Sequence, residues 1–417
     1  MKILYFCLGF YLFISMSWTA SSSYIKSSSQ LSLNELYQSI SNEHSLVKSS
    51  LLGINAAKTL AKYADTKPNP KLEMAYWLEP IQTKQGPTNK KISLSQKILP
   101  KSKLKLRKRV ELGNVEILEL ESIRIKQDLK YDLSKTFFEY HFLFKKLDIL
   151  KQNLKLVQSW AKLWETHYSH HNFSYPRLVK LQMELTRIQD QIREVNELIP
   201  IVYQLLMSSS DLNKTSLRIP IHQNKVMQYD LSSRVDDNID LLILQSKLYR
   251  QTLYKSLERT SFIPNKTIKS ELTSIDSPHG LDGGNPWMIG FGVDILLNKA
   301  QIKSRVASQQ AAVQALEIKI NYFKSGTKVK LNDVIFRINN NLKRYLILKN
   351  ELLPRTQESL DSLQVSYSSQ TNDMDFFGLL ETLRSLLNIN LEIESVRKIF
   401  FQELAEFQRL SGASILQ

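Results

Sequence analysis

Side chains that ligate metals, attack substrates or trade protons are thinly spread in this chain. His167, His170 and His171 have the three- and four-residue spacing that gathers imidazoles on one side of a helix, as zinc ligands would be. No carboxylate-rich motif accompanies them, and Asn172 and Pro176 mark a turn there, so no metal site is assigned. Lys101, Lys103, Lys105, Arg107, Lys108 and Arg109 form a basic run. Such a run can hold phosphates of nucleic acid or of lipid headgroups, or simply solvate the start of a helix. Asp373 and Asp375 stand just before an amphipathic segment, where a helix takes its N-cap. There is no Gly-rich phosphate loop, no nucleophile elbow and no carboxylate pair beside a histidine. The expectation is a protein that is not an enzyme and uses no cofactor.

The only cysteine, Cys7, lies in a continuous apolar run from Ile3 to Ile14. Lys2 precedes the run, and Ser15, Ser17, Thr19, Ala20 and further serines follow it. A basic start, a short apolar core and small residues after it read as a signal peptide over residues 1–20. The alternative is an uncleaved anchor, but a spanning helix needs about 20 apolar residues. The exported chain would then contain no thiol, which excludes disulfides, cysteine metal sites and thiol catalysis. Export also disfavours a nucleic-acid partner, although the formal net charge of +16 would otherwise invite one. A lysine-rich coat on solvated helices accounts for that charge.

These residues sit on unusually long elements. The 417 residues contain only 12 Gly and 12 Pro, and neither occurs between Gly113 and Pro176. Through that stretch Leu129, Leu133, Phe137, Tyr140, Leu143, Leu147, Leu150, Leu154, Val157, Ala161 and Trp164 recur in steps of three and four. This is the stripe of an amphipathic helix, predicted over 101 to about 170 and therefore roughly 100 Å long. A second rod is predicted from Lys299 towards Tyr367, dented at Gly326 and kinked at Pro354. Shorter helices are predicted from Leu33 to Tyr63, Pro176 to Met207, Val235 to Glu258 and Phe376 to Leu410. Four segments alternate with period two instead, near 71–79, 91–99, 266–273 and 286–296, as strands with one apolar face do.

The pattern occurs twice. Ile92, Leu94, Gln96, Ile98 and Leu99 superpose on Ile289, Phe291, Val293, Ile295 and Leu296, and Tyr168, Leu178 and Leu181 superpose on Tyr367, Phe377 and Leu380, at an offset of roughly 200 residues. The expected organisation is a first repeat over 21–209, an equatorial linker over 210–230 and a second repeat over 231–417. Each repeat reads helix, strand, turn, strand, very long helix, turn, returning helix. Two long rods and two end-to-end composite rods would make a four-rod sheet of helices. Four strands cannot close a barrel alone, so two or more chains are needed.

The segment Ile92-Ser93-Leu94-Ser95-Gln96-Lys97-Ile98-Leu99-Pro100 with Lys101, Lys103 and Arg107 resembles the second-strand signature of the outer membrane efflux (TolC-like) family, closest to its heavy-metal-efflux branch. Ser102 replaces the family's usual Gly. Ile289 to Arg305 is similar to the Gly-alternating strand before the family's second rod, with Leu296-Leu297-Asn298 where Pro-Leu-Phe is common. Leu352-Leu353-Pro354 resembles its late-helix Pro, and Tyr367 through Leu387 its periplasmic turn and return helix. The resemblance implies a mainly α fold with a small transmembrane β part: a homotrimeric 12-stranded barrel in the outer membrane, continued by a helical barrel through the periplasm. It implies a passive exit duct for drugs or metal ions, docked to a periplasmic adaptor and through it to an inner-membrane pump. An exit channel for exported proteins has the same fold, and a coiled-coil scaffold without a pore is the reading from another class. Glu381 matches the family's tip carboxylate, a pore or gate residue, with Asp375 and Asp373 beside it.

Overall fold

The computed structural model describes residues 32–168, 175–211, 226–229, 231, 235–276, 284–368 and 376–413. It is a bundle of long helices capped at one end by a four-stranded antiparallel sheet in the order β1-β2-β3-β4. Helix α1 (Leu33–Glu43) leads through His44 into α2 (Ser45–Tyr63). The hairpin β1 (Lys71–Thr83) and β2 (Gly86–Ile98) comes next. Then α3 (Lys101–Tyr168) runs for 68 residues, about 100 Å at 1.5 Å per residue. Helix α4 (Tyr175–Ser210) returns to mid-height. The second half repeats the path with α5 (Ile239–Arg259), β3 (Lys266–Ile275), β4 (Trp287–Val293) and α6 (Lys299–Ile347). A π-turn (Leu348–Leu352) joins α6 to α7 (Leu353–Ser368), and α8 (Phe376–Ser411) returns. The duplication is close: α4 and α8 are both 36 residues long.

Near the sheet the rods lie in the order α2, α3, α5, α6. Lys58 pairs with Glu119 at 2.8 Å, Lys247 with Glu121 at 2.8 Å, and Lys255 Nζ donates to Gln310 at 2.9 Å. At the far end the order becomes α4, α3, α8, then α6 and α7. There Lys398 meets Glu139 at 2.9 Å, and Arg344 Nε donates to Glu392 at 2.9 Å. The composite rods are joined end to end. Helix α4 stops at Asp211, which adopts a left-handed φ of 54°, and the Asp211 carboxylate accepts the first N–H of α2, from Ser45, at 2.8 Å. That bond holds the Asp211 carboxyl below its usual range. Helix α8 stops at Gly412, φ 72°, beside Asn238. The Asn238 side chain caps α5 through Leu241 N–H at 3.1 Å and donates to the Leu410 carbonyl of α8 at 2.8 Å.

A core lies on each side of the helical span. The equatorial one packs Phe137 and Phe138 against Phe400 and Phe401, with the Phe138 and Phe401 rings stacked at 5.0 Å. From the segment between α4 and α5, Val226, Tyr229 and Leu231 pack on this core. Along that seam Arg337 bonds Glu403 and Glu406, and burial raises the Glu403 carboxyl. The tip core packs Leu150, Val157 and Trp160 against Leu181, Ile188, Leu379 and Leu383.

Three details differ from the sequence-based expectation. The helix expected over Leu33 to Tyr63 breaks at His44, where ψ is 131° and the ring Nδ1 caps Leu46 N–H at 3.2 Å. The first hairpin reaches further than its alternation indicates. Pro80 reads as a terminator, yet it falls at an irregularity between Tyr76 and Ile81 on an edge strand, where a missing N–H is tolerated. The turn closes at Gly86, φ 129°, with Thr83 Oγ1 donating to the Gly86 carbonyl at 2.6 Å. Finally, α6 runs unbroken through Gly326, and the disturbance from Pro354 falls on the preceding turn, widened to a π-turn that absorbs the lost hydrogen bond.

Candidate functional site: a two-faced sheet and a stitched helical tip

Strand register sorts the sheet residues onto two faces, because directly paired residues point the same way and neighbours along a strand point oppositely. One face carries the rows Leu72–Leu94–Ser270–Ile289 and Met74–Ile92–Leu272–Trp287, flanked by Ile268 and Phe291. These large apolar residues are exposed, Phe291 to 80%. Polar groups on this face find partners: Trp287 Nε1 donates to Ser270 Oγ at 2.7 Å, and Gln96, in the row of Ile268 and Phe291, donates to the Pro68 carbonyl at 2.8 Å. The opposite face holds Lys71, Glu73, Lys91, Ser93, Ser95, Lys97, Lys269 and Glu271, together with the apolar Met288. Here Glu271 is gripped by Lys91 at 2.5 Å and Lys269 at 2.6 Å, and Lys71 pairs with Glu73. Beyond the strands Lys97 pairs with Asp294 at 3.0 Å.

Both outer edges of the sheet, β1 and β4, present backbone groups with no strand beside them among the described residues. Among the described residues no helix is long and apolar enough to cross a membrane.

At the other end, the two helical hairpins are tied across α3 by side chains of α4 and α8. Arg384 donates through Nε and Nη2 to one oxygen of Glu184, at 2.8 and 2.5 Å, and Glu184 is only 4% exposed. One turn nearer the tip, Lys180 Nζ lies 4.2 Å from the centroid of the Phe377 ring. Phe377, Glu381 and Arg384 follow one another at four and three residues and so share one stripe of α8. Glu381 sits between the two stitched positions, exposed and without an ion-pair partner among the described residues. Asp373 and Asp375 lie outside the described residues, as do the side chains of His167, His170 and His171. Among the described residues no three metal-ligating side chains converge.

Glu184 and Arg384 are not singled out by motif or charge run. The signal that reaches them is the repeat itself. They stand 200 positions apart, so the duplication sets opposite charges at matching heights of the two returning helices. Removing Arg384 leaves a buried carboxylate unpaired, a change that costs a few kcal/mol for a fully buried pair and less here because Arg384 is half exposed. Arg384→Met is therefore expected to lower the tip's stability by about 1–2 kcal/mol and to increase amide exchange over 177–188 and 378–388. Equal exchange in the two proteins would show that the pair holds nothing.

No protein-family model and no curated relative matches this chain. Solved structures do. The outer membrane protein VceC from Vibrio cholerae superposes with a TM-score of 0.73 at 13% identity, covering 92% of this chain and 96% of VceC. The Campylobacter jejuni CmeC outer membrane channel gives 0.66 at 14% identity, covering 91% and 85%. The open state of the Neisseria gonorrhoeae MtrE outer membrane channel gives 0.70 at 11% identity, covering 91% and 89%. Identities this low speak for shape and connectivity, and both extend over nearly the whole of each chain. The chain has the TolC-like fold of the outer-membrane channels.

Proposed function

We propose that this chain is the outer-membrane exit duct of a tripartite efflux system, passing drugs or metal ions passively from a periplasmic adaptor and inner-membrane pump to the exterior. The observation that carries this reading is the two-faced sheet. An exposed apolar face suits lipid, a charged opposite face suits a water-filled lumen, and free edges demand further strands. Three copies would supply a 12-stranded barrel. The outermost rods favour the same assembly: Leu52 and Leu60 on α2 and Tyr322, Val329 and Phe336 on α6 leave large apolar side chains exposed along both edges of the helical layer. The protein would sit in the outer membrane of a Gram-negative bacterium, with its rods extending into the periplasm and each half of the chain acting as one repeat. In this reading it does no covalent chemistry.

The test is single-channel conductance of the detergent-extracted trimer in a planar bilayer. A defined conductance is expected. Glu381 would form a threefold carboxylate ring with Asp375 and Asp373 beside it, so Glu381→Gln is expected to cut the cation-to-anion permeability ratio by about twofold or more. An unchanged ratio would remove Glu381 from the pore. A soluble species without conductance would instead favour a scaffold.

A further inference from the structure

The chain passes between sheet and rods four times, and a lysine marks each passage. Lys67 stands between α2 and β1, and Lys101 opens α3 after β2. Lys266 opens β3 after α5, and Lys299 opens α6 after β4. All four are exposed, and none forms an ion pair among the described residues. Lys266 is on the apolar face by register, in the row of Ile98 and Val293. The apolar line of β4 continues past the strand through Ile295 and Leu297, 83% and 87% exposed, and ends one residue short of Lys299. The change from exposed apolar to exposed cationic side chains thus falls at one level of the molecule.

Helix geometry turns Lys101 away from the charged face. Lys101 and Lys105 lie four residues apart on one exposed stripe of α3, which continues with exposed Leu112. Lys103 lies on another side, near Arg107 and Glu258 and near Lys97 and Asp294 of the charged face. Lys101 and Lys105 accordingly point away from the charged interior.

We infer that this lysine ring binds the phosphate groups of anionic phospholipids in the leaflet on the helical side of the membrane. The inference rests on the membrane-spanning reading of the sheet and adds to it a lipid class and four residues. A cation just beyond an apolar band meets the headgroup layer, where it attracts anionic lipid, and each such lysine strengthens binding by about fivefold. Two acidic groups at this level are already engaged by other lysines: Asp65 by Lys108 at 3.1 Å and Asp294 by Lys97 at 3.0 Å. The four marking lysines are thereby left for an external partner.

The experiment compares retention of phosphatidylglycerol and phosphatidylcholine by the full, purified protein in mixed micelles. The wild type should prefer phosphatidylglycerol, and a variant carrying Lys67→Gln, Lys101→Gln, Lys266→Gln and Lys299→Gln should lose that preference by tenfold or more. The matching four-arginine variant should keep it, and each single glutamine variant should lose a part, so misfolding of the quadruple variant cannot mimic the result. Equal retention of both lipids by the wild type, or full preference in the glutamine variant, overturns the inference. So does competition by soluble polyglutamate at concentrations that match the lipid, which would make the ring a site for acidic chains. Conductance in neutral-lipid bilayers, run in parallel, tests the duct reading separately, since a failure there leaves lipid preference in micelles readable.

Discussion

Leu94→Arg should abolish membrane assembly, whereas Ser95→Arg, one residue further on, should leave a conducting channel. Leu94 lies on the central strand β2, in the middle row of the apolar face, paired with Leu72 on one side and Ser270 on the other. It is half exposed in the single chain, so it has no protein core to lose. The whole penalty comes from placing a guanidinium against lipid, about 2–4 kcal/mol per copy near the bilayer midplane. In the proposed trimer, three copies would raise it to roughly 6–12 kcal/mol, comparable with the entire stability of an ordinary fold. Ser95 pairs with Lys71 and Lys269 on the charged face, where an added cation meets water and the nearby Glu73 and Glu271. Extraction of membranes followed by sizing of the complex reads the result. Equal recovery of both variants as membrane-inserted trimers would mean that the apolar face does not meet lipid.

The same alternation explains why so much of the architecture is legible in the sequence. Long helices announce themselves through apolar steps of three and four sustained without Gly or Pro, and α3 ends close to where that periodicity does. Strands with one wet and one apolar face carry a period of two, so β2 and β4 stand out. Where the sequence misleads, a local rule is overridden by position. Pro80 ends a strand in the interior of a sheet but not on the edge strand β1, and Gly326 weakens a helix without breaking it. The His44 break is invisible to periodicity because the apolar stripe of α1 and α2 continues across it. At the tip, local likeness to the family points to Glu381. The Glu184–Arg384 tie is a contact between helices 200 residues apart, and only the repeat aligns them. Charge was the least legible property, because a net value of +16 has no location until strand register and helix phase assign lysines to faces.

The largest expected effect in the helical part is at Asn238. This side chain is 2% exposed and does two jobs at the junction of α8 and α5. Its Oδ1 caps α5 through Leu241 N–H, and its Nδ2 satisfies the Leu410 carbonyl at the end of α8. Asn238→Ala removes a cap worth about 0.5–2 kcal/mol and strands a buried carbonyl at about 1–3 kcal/mol, so a loss of about 2–4 kcal/mol is expected. Asn238→Asp retains the acceptor and loses the donor, placing a carboxylate against the Leu410 carbonyl, and should be at least as damaging. In the first half the junction is made by Asp211, at the end of α4 where α8 has Gly412; it is exposed, so water replaces its bond to Ser45 and Asp211→Ala should change stability little. Its depressed carboxyl pKa gives that contribution a sign with pH: present above the ordinary carboxylate range and lost as pH falls through the lowered value. Gly412→Ala supplies an independent check of the buried junction. Its φ of 72° disfavours any side chain, and a Cβ would stand 3.2 Å from the Asp237 carbonyl oxygen. Thermal unfolding of the four variants should rank Asn238→Ala and Asn238→Asp lowest, Gly412→Ala between, and Asp211→Ala near the wild type. If Asp211→Ala proved as damaging as Asn238→Ala, the two junctions would bear equal load, and burial could not be what makes the second one costly to break.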